Sequence, residues 1–468
     1  MTVETNLRED SPLLGWRRPL AGLSRKERRR ARRGQLFGLP DRAYEQPIYR
    51  GRQIGGAYVL VSDPAGVRRV LVENVVNYPK SPLEQSFFTA LFGFGLLGSD
   101  GELWRRHRRI MAPAFDPRGV ASYGPAITEE VVAFLAGWHA LPPGATIDMA
   151  RAMTELTLSI IARTVFSTEG AALAPLVDTS MRQGLEETSR INVIDLIPVV
   201  GAWRMRRRKV RLTRGSVALD AAIARAVESR AATLDEAPND LLTRLVRAKD
   251  QDSGATMNGQ EIRDEVVTIF MAGHETTAVT MSWAWYVLSQ RPGAAARLHA
   301  ELDAVLGGRP AEQDDLAKLV FTRRVVEEVL RLYPAAPGLS ARRAVSDDVV
   351  AGEAIRAGTT ISISPWVLHR HRDLWDEPER FDPDRFAPDA SAGRHRFAYL
   401  PFGGGPRVCI GQLLALNEAV LILATLAQRF TPRLAPDARV AMVANITLQP
   451  KHGLKMILQR RQAGRGER

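Results

Sequence analysis

Residues 400–411 read LPFGGGPRVCIG and run straight into the apolar stretch GQLLALNEAVLILATLAQRF, which closes at Phe430. Cys409 is the only cysteine in 468 residues. Gly403, Gly404 and Gly405 lead up to it with Arg407, and the helical spacing that begins at Gly411 sets it at a helix N-terminus. There the dipole and unpaired backbone N–H groups favour a thiolate, which suits a nucleophile or a metal ligand. The ordinary reading of a lone cysteine is a buried, inert side chain. Three glycines and a cation are poor packing material, however. A cysteine nucleophile needs a base, and no histidine lies within a dozen residues; structural zinc needs several Cys or His, and there is one Cys. A thiolate that ligates haem iron needs only a shielded loop, close approach of the macrocycle and cations for its propionates.

Upstream, Asn258-Gly259-Gln260-Glu261 has the form of a capping box, and VVTIFMAGHETTAVTMSWAWYVLSQ follows it until Arg291-Pro292-Gly293. This predicts one helix of about 30 residues, roughly 45 Å long. It is apolar on most sides and belongs in the middle of a helical domain. Gly273 costs such a helix about 1 kcal/mol relative to alanine. Glu275 in apolar surroundings needs a polar role or partner. Glu328 and Arg331 stand at i, i+3, and Trp104 and Arg108 at i, i+4, so each pair shares a helix face.

Taken together these segments carry a family likeness. Phe402, Gly405, Arg407, Cys409 and Gly411 fit FxxGxRxCxG, which resembles the haem-ligand signature of the cytochrome P450 superfamily. Ala272-Gly273-His274-Glu275-Thr276-Thr277 is similar to its oxygen-activation motif. The likeness spans roughly residues 45–460, with four motifs in family order. It implies haem b as cofactor, O2 as co-substrate and Cys409 as the axial iron ligand. Ala272 and Gly273 would leave room over the iron, while Thr276 and Glu275 would be the catalytic alcohol and acid that deliver protons. Trp104, Arg108 and Arg407 would bind the propionates, with Arg342 as a further propionate arginine; Phe402, Gly403 and Gly411 would shield the sulfur. Glu328 and Arg331 would form a structural triad with an arginine of a PxRF-type segment. Both Arg380 and Arg385 occur in one; Arg385 has the better phasing, and Arg380 reads as a decoy.

The expected fold is mainly α with a minor β region, the cytochrome P450 fold with its long central helix over the haem. Residues 1–44 read as a basic arm and 45–468 as a single haem domain. Ile48 to Glu73 reads as a hairpin followed by a helix, and TLQPKHGLKMILQRR as a C-terminal hairpin. Composition agrees: 45% hydrophobic and 25% charged residues exclude a mainly disordered chain. The net charge is +12, but residues 1–60 hold 13 basic against 6 acidic side chains, so no basic face runs over the whole fold and no nucleic-acid partner is expected. One cysteine permits no intrachain disulfide and fits a reducing cytoplasm, with peripheral membrane contact left open. No stretch reads as a signal peptide or a membrane span. A monomer is expected.

The activity implied by the resemblance is insertion of one oxygen atom from O2 into a lipophilic small molecule, by hydroxylation or epoxidation. Electrons would come from a separate ferredoxin and its NAD(P)H-driven reductase. Arg105, Arg106 and Arg109 face away from the haem edge and suit either a solvated basic helix or docking of an acidic donor. Apolar walls are expected from Phe87, Phe88 and Phe92 in a substrate loop, from Ile191 to Val200, from Ala335 to Leu339, and from Ile446. Two other functions stay open: a haem-thiolate isomerase or peroxygenase, which would normally lack the Glu275-Thr276 pair, and a haem-based sensor.

Overall fold

The computed structural model describes residues 39–53, 56–167, 217–444 and 446–461, with Leu13, Leu176, Thr179 and Arg207 besides. Most of the basic arm and the wall expected from Ile191 to Val200 lie outside the described residues. Within the arm, Tyr44 is buried and its hydroxyl accepts from Trp366 Nε1 at 3.2 Å, so the packed body begins before residue 45.

The hairpin is present as β1 (Ile48–Gln53) and β2 (Gly56–Val61). Asp63 caps the short helix α1 (Pro64–Arg68) by accepting from Gly66 N at 2.6 Å. Two later strands, β7 (Thr360–Ser362) and β4 (Arg342–Arg343), complete a sheet of order β1-β2-β7-β4. β2 and β7 run parallel, while β4 is antiparallel to β7; β5 (Asp348–Val350) and β6 (Glu353–Ile355) form a separate antiparallel pair.

Helices fill the rest of the body. Phe87, Phe88 and Phe92 stand on a helix and not on a loop: Ser81 caps α2 (Pro82–Phe92), with proline in its first turn, and Gly93 ends it at φ +67°. Next come α3 (Gly101–Met111), α4 (Gly124–Ala140) and α5 (Met149–Phe166). The long helix is α6 (Gly259–Gln290), 32 residues opened by the Asn258/Glu261 capping box. It stops where Pro292 starts α7 (Pro292–Leu306). Two further long helices are α8 (Val320–Leu332) and α9 (Gln412–Ala427).

Every residue of α6 from Thr277 to Ser289 is buried, which explains why its sequence shows no polar face. On one side Trp285 Nε1 lies 3.4 Å from the Met153 sulfur of α5; on another Trp283 stacks on Tyr333 with centroids 4.7 Å apart. Aromatic burial on this scale stabilises by about 1.5–3 kcal/mol per side chain. α6 is therefore the axis around which the other helices are packed.

The C-terminal hairpin is not formed. β10 (Leu448–Pro450) pairs with β9 (Met442–Ala444). β11 (Lys455–Arg460) lies between β3 (Thr146–Asp148) and β8 (Phe430–Leu434). The reason is competition for the same backbone and core. Leu448 donates its N–H to Ala335 O at 3.0 Å, and its carbonyl accepts from Trp283 Nε1 at 2.7 Å. Met456 and Leu458 of β11 are buried between two neighbouring strands.

Candidate active site

At the head of α9 the glycine loop turns back on itself. Cys409 N–H donates to Phe402 O at 2.9 Å, closing the loop around the sulfur. Gly403 and Gly405 sit at φ +73° and +70°, and a Cβ on Gly405 would stand 2.1 Å from the Leu71 carbonyl oxygen. That position admits only glycine. Cys409 presents accessible surface, yet burial pushes its thiol pKa up, so it lies in a recess within the protein and not on the outer surface. The Gly411 N–H and the Arg108 guanidinium act the other way and favour the thiolate.

Four cations converge near this recess. Arg407 lies over the Trp104 ring, 4.2 Å from its centroid, and is paired with Asp100. Arg108 faces Cys409 from α3. Arg342 is 7% exposed, and its Nε has no hydrogen-bond partner among the described residues. The fourth, Lys80, carries no signal in the sequence. It reaches the site through a β-bridge to Arg342, donates from Nζ to Leu97 O and Ser99 O, and is pushed down to about 7 by burial and by Arg407. A buried guanidinium nitrogen with no acceptor is costly unless an anionic group meets it. A cysteine facing Arg108, with Arg407, Arg342 and Lys80 gathered beside Asp100, fits haem: Cys409 would ligate the iron, and Arg342, Arg108 and Arg407 would meet the propionates. Bound there, a thiolate-ligated haem supplies O–O cleavage.

The motif residues of α6 divide between helix packing and polar contacts. The space left by Gly273 faces α5, since a Cβ there would stand 3.1 Å from Ile161 Cδ1. It permits close packing of the two helices. His274 is buried; its Nδ1 is 2.8 Å from Phe270 O, and its carbonyl accepts from Thr157 of α5. Thr276 Oγ1–H donates to Ala272 O at 2.7 Å, which leaves the hydroxyl lone pairs as acceptors. Glu275 is not free: its Oε1 accepts from Thr447 Oγ1 at 2.6 Å and from Gln449 Nε2. Neither partner was legible in the sequence.

Glu328 and Arg331 are both fully buried and bidentate, at 2.6 and 2.7 Å. Arg331 also donates to the carbonyls of His369, Pro378 and Arg380. Arg385 Nε stands 3.7 Å from Glu328 Oε1, an ion-pair distance without a hydrogen bond. The decoy reading of Arg380 needs amendment: its side chain turns outward to Glu377, but its carbonyl holds Arg331. His369 joins from behind, accepting Leu400 N–H at Nε2, 2.8 Å away, so Nδ1 carries the proton toward Arg331 O.

Arg105, Arg106 and Arg109 are each matched by the chain's own acids: Glu102, Glu261, and the Asp250 and Asp252 pair. Their charge is largely spent within the fold, which favours the solvated or structural reading over donor docking. Phe88 contacts Phe87 and Phe92 at centroid distances of 5.5 and 5.9 Å, and Phe92 is buried. Ile446 is half-buried beside Thr447, and Ala335 is buried. The end of α2 is tied to α6, as Asp264 and Glu265 accept the N–H groups of Phe94 and Leu96.

A family model described as cytochrome P450 matches residues 27–457, starting inside the stretch read as an arm. The chain belongs to the cytochrome P450 family. It is 36% identical over 386 residues to cyclooctatin synthase of Streptomyces melanosporofaciens, covering 81% of each chain. It is 33% identical to cyclooctat-9-en-7-ol 5-monooxygenase of the same organism, over 91% of this chain and 88% of that one. The crystal structure of the cytochrome P450DA heme domain superposes with a TM-score of 0.77 at 25% identity, covering 89% of this chain and 90% of the other. This P450 is an oxidoreductase, a haem-thiolate monooxygenase with O2 as co-substrate. No helix among its described residues is long and apolar enough to cross a membrane.

Proposed function

We propose that this P450 inserts one oxygen atom of O2 into an apolar, cyclic small molecule, with electrons from a separate ferredoxin-type donor. Cys409 is the axial ligand, Glu275 and Thr276 are the proton-delivering pair, and Arg108, Arg342 and Arg407 are the propionate partners. The observation that carries the reading is the acid and alcohol at consecutive positions of α6, Glu275 anchored at Oε1 and Thr276 with its hydroxyl lone pairs left as acceptors. An isomerase or peroxygenase has no need of that pair. The aromatic face of α2 and the half-buried Ile446 support a lipophilic substrate, as do relatives whose names include a monooxygenase of cyclooctat-9-en-7-ol.

The overall step balances as one C–H bond and O2 giving one C–OH bond and water, with two electrons from NAD(P)H and two protons. The test has two parts. The reduced protein with carbon monoxide should give a thiolate-type Soret shift that Cys409→Ser abolishes. With NADPH, a surrogate ferredoxin and reductase, and limonene as probe, 18O2 should place one labelled atom in a product. Turnover with peroxide alone, or ligand-linked spectra without product, would replace the monooxygenase reading by peroxygenase or sensor.

A further inference from the structure

The acid of α6 is held by residues far away in the chain. Oε1 of Glu275 accepts from Thr447 Oγ1 at 2.6 Å and from Gln449 Nε2, and Oε2 has no hydrogen-bond partner among the described residues. Thr447 is 4% exposed, so its hydroxyl is committed to this bond. The segment that carries both donors, β10 and the residue before it, is itself fixed: Leu448 between them accepts from Trp283 Nε1 at its carbonyl and donates its N–H to Ala335 O, and β10 is paired with β9. The anchor is therefore rigid, and it belongs to a segment that also carries Ile446.

Two donors on a single carboxylate oxygen draw negative charge to that oxygen and lock the side-chain torsions. A proton taken up by Glu275 then resides on Oε2, the oxygen left without a donor, and leaves from there. We infer that Thr447 and Gln449 are positioning residues for Glu275: they hold Oε1 so that Oε2 alone loads and releases the protons of the reaction. The inference rests on the monooxygenase reading above. It also makes β10 and the residue before it part of the proton-delivery apparatus, although neither lies in α6.

The experiment compares the holoenzyme with Thr447→Val, Thr447→Ser, Gln449→Leu, Glu275→Gln and the Thr447→Val/Glu275→Gln pair. Each is assayed with NADPH, the surrogate redox pair, limonene and 18O2. General acid–base groups contribute about 10²–10⁴ in rate, and losing alignment alone forfeits a fraction, about tenfold. Thr447→Val and Gln449→Leu should lower product per NADPH about tenfold, raise peroxide release and enlarge the solvent deuterium isotope effect on kcat, with KM little changed. Thr447→Ser should restore wild-type behaviour, and adding Thr447→Val to Glu275→Gln should cost nothing more. Unfolding midpoints should show the same non-additivity. A bond that matters only structurally would give the non-additive midpoints with unchanged coupling and isotope effect, and that result overturns the inference alone. A wild type that consumes NADPH without labelled product overturns the monooxygenase reading and the inference with it.

Discussion

Single side chains in this protein are governed by how much water they have lost. Glu418 is the plainest case: it is a buried residue of α9, and burial pushes its carboxyl up to about 8. An unfolded glutamate titrates near 4.3. Between about 4.3 and 8 the folded state keeps a proton that the unfolded state has released, so stability falls as pH rises through that window. Glu418→Gln removes this dependence. Urea midpoints of the variant relative to wild type should therefore climb steadily from pH 5 to pH 8; a constant offset would mean that Glu418 is ionised in the fold. Cys409 obeys the same rule with the opposite remedy, since Gly411 N–H and Arg108 are supplied to offset its desolvation.

At the scale of elements, α6 and α5 are held together by a contact with almost no slack. Gly273 faces Ile161, where even a methyl group would stand 3.1 Å from Cδ1. Gly273→Val should overpack the interface and cost about 1–3 kcal/mol in thermal unfolding. Ile161→Val in the same chain should recover part of the loss, because it withdraws the atom that clashes. A variant as stable as wild type would show that the two helices can slide apart. The start of α6 is less demanding: Asn258→Ala breaks the reciprocal capping box and should cost about 1 kcal/mol, measured as a drop in the unfolding midpoint.

For the molecule as a whole, the buried Glu328–Arg331 pair joins α8 to the stretch that leads to the cysteine loop. Arg331 satisfies three carbonyls, at His369, Pro378 and Arg380, and Glu328 accepts the Asp382 N–H at 2.8 Å. Arg331→Met should leave three carbonyls without their donor and a buried carboxylate without its bidentate partner, a loss of about 3–5 kcal/mol. Glu328→Gln/Arg331→Met, which removes both charges, should be less damaging than Arg331→Met alone. Equal losses in the single and double variants would locate the cost in the orphaned carbonyls and not in the orphaned charge. The arginines of α3 make a parallel point at the surface. Arg105, Arg106 and Arg109 look like a docking face in one dimension, but Glu102, Glu261, Asp250 and Asp252 neutralise them in three.

The sequence by itself determined the family, the mainly helical fold and the long helix to its caps, and it singled out Cys409, Glu275 and Thr276 as candidates for the thiolate, acid and alcohol. Those features are local: a capping box, a glycine loop and i, i+3 or i, i+4 pairs are written in neighbouring residues. Only the tertiary structure decided what each side chain meets. It turned Gly273 toward Ile161, paired β11 with β3 and β8 and not with β10, brought Lys80 to Arg342, and gave Glu275 its partners Thr447 and Gln449. These contacts join residues as much as 300 positions apart, and no periodicity encodes them. They are set by which buried polar groups can satisfy one another once the core has closed.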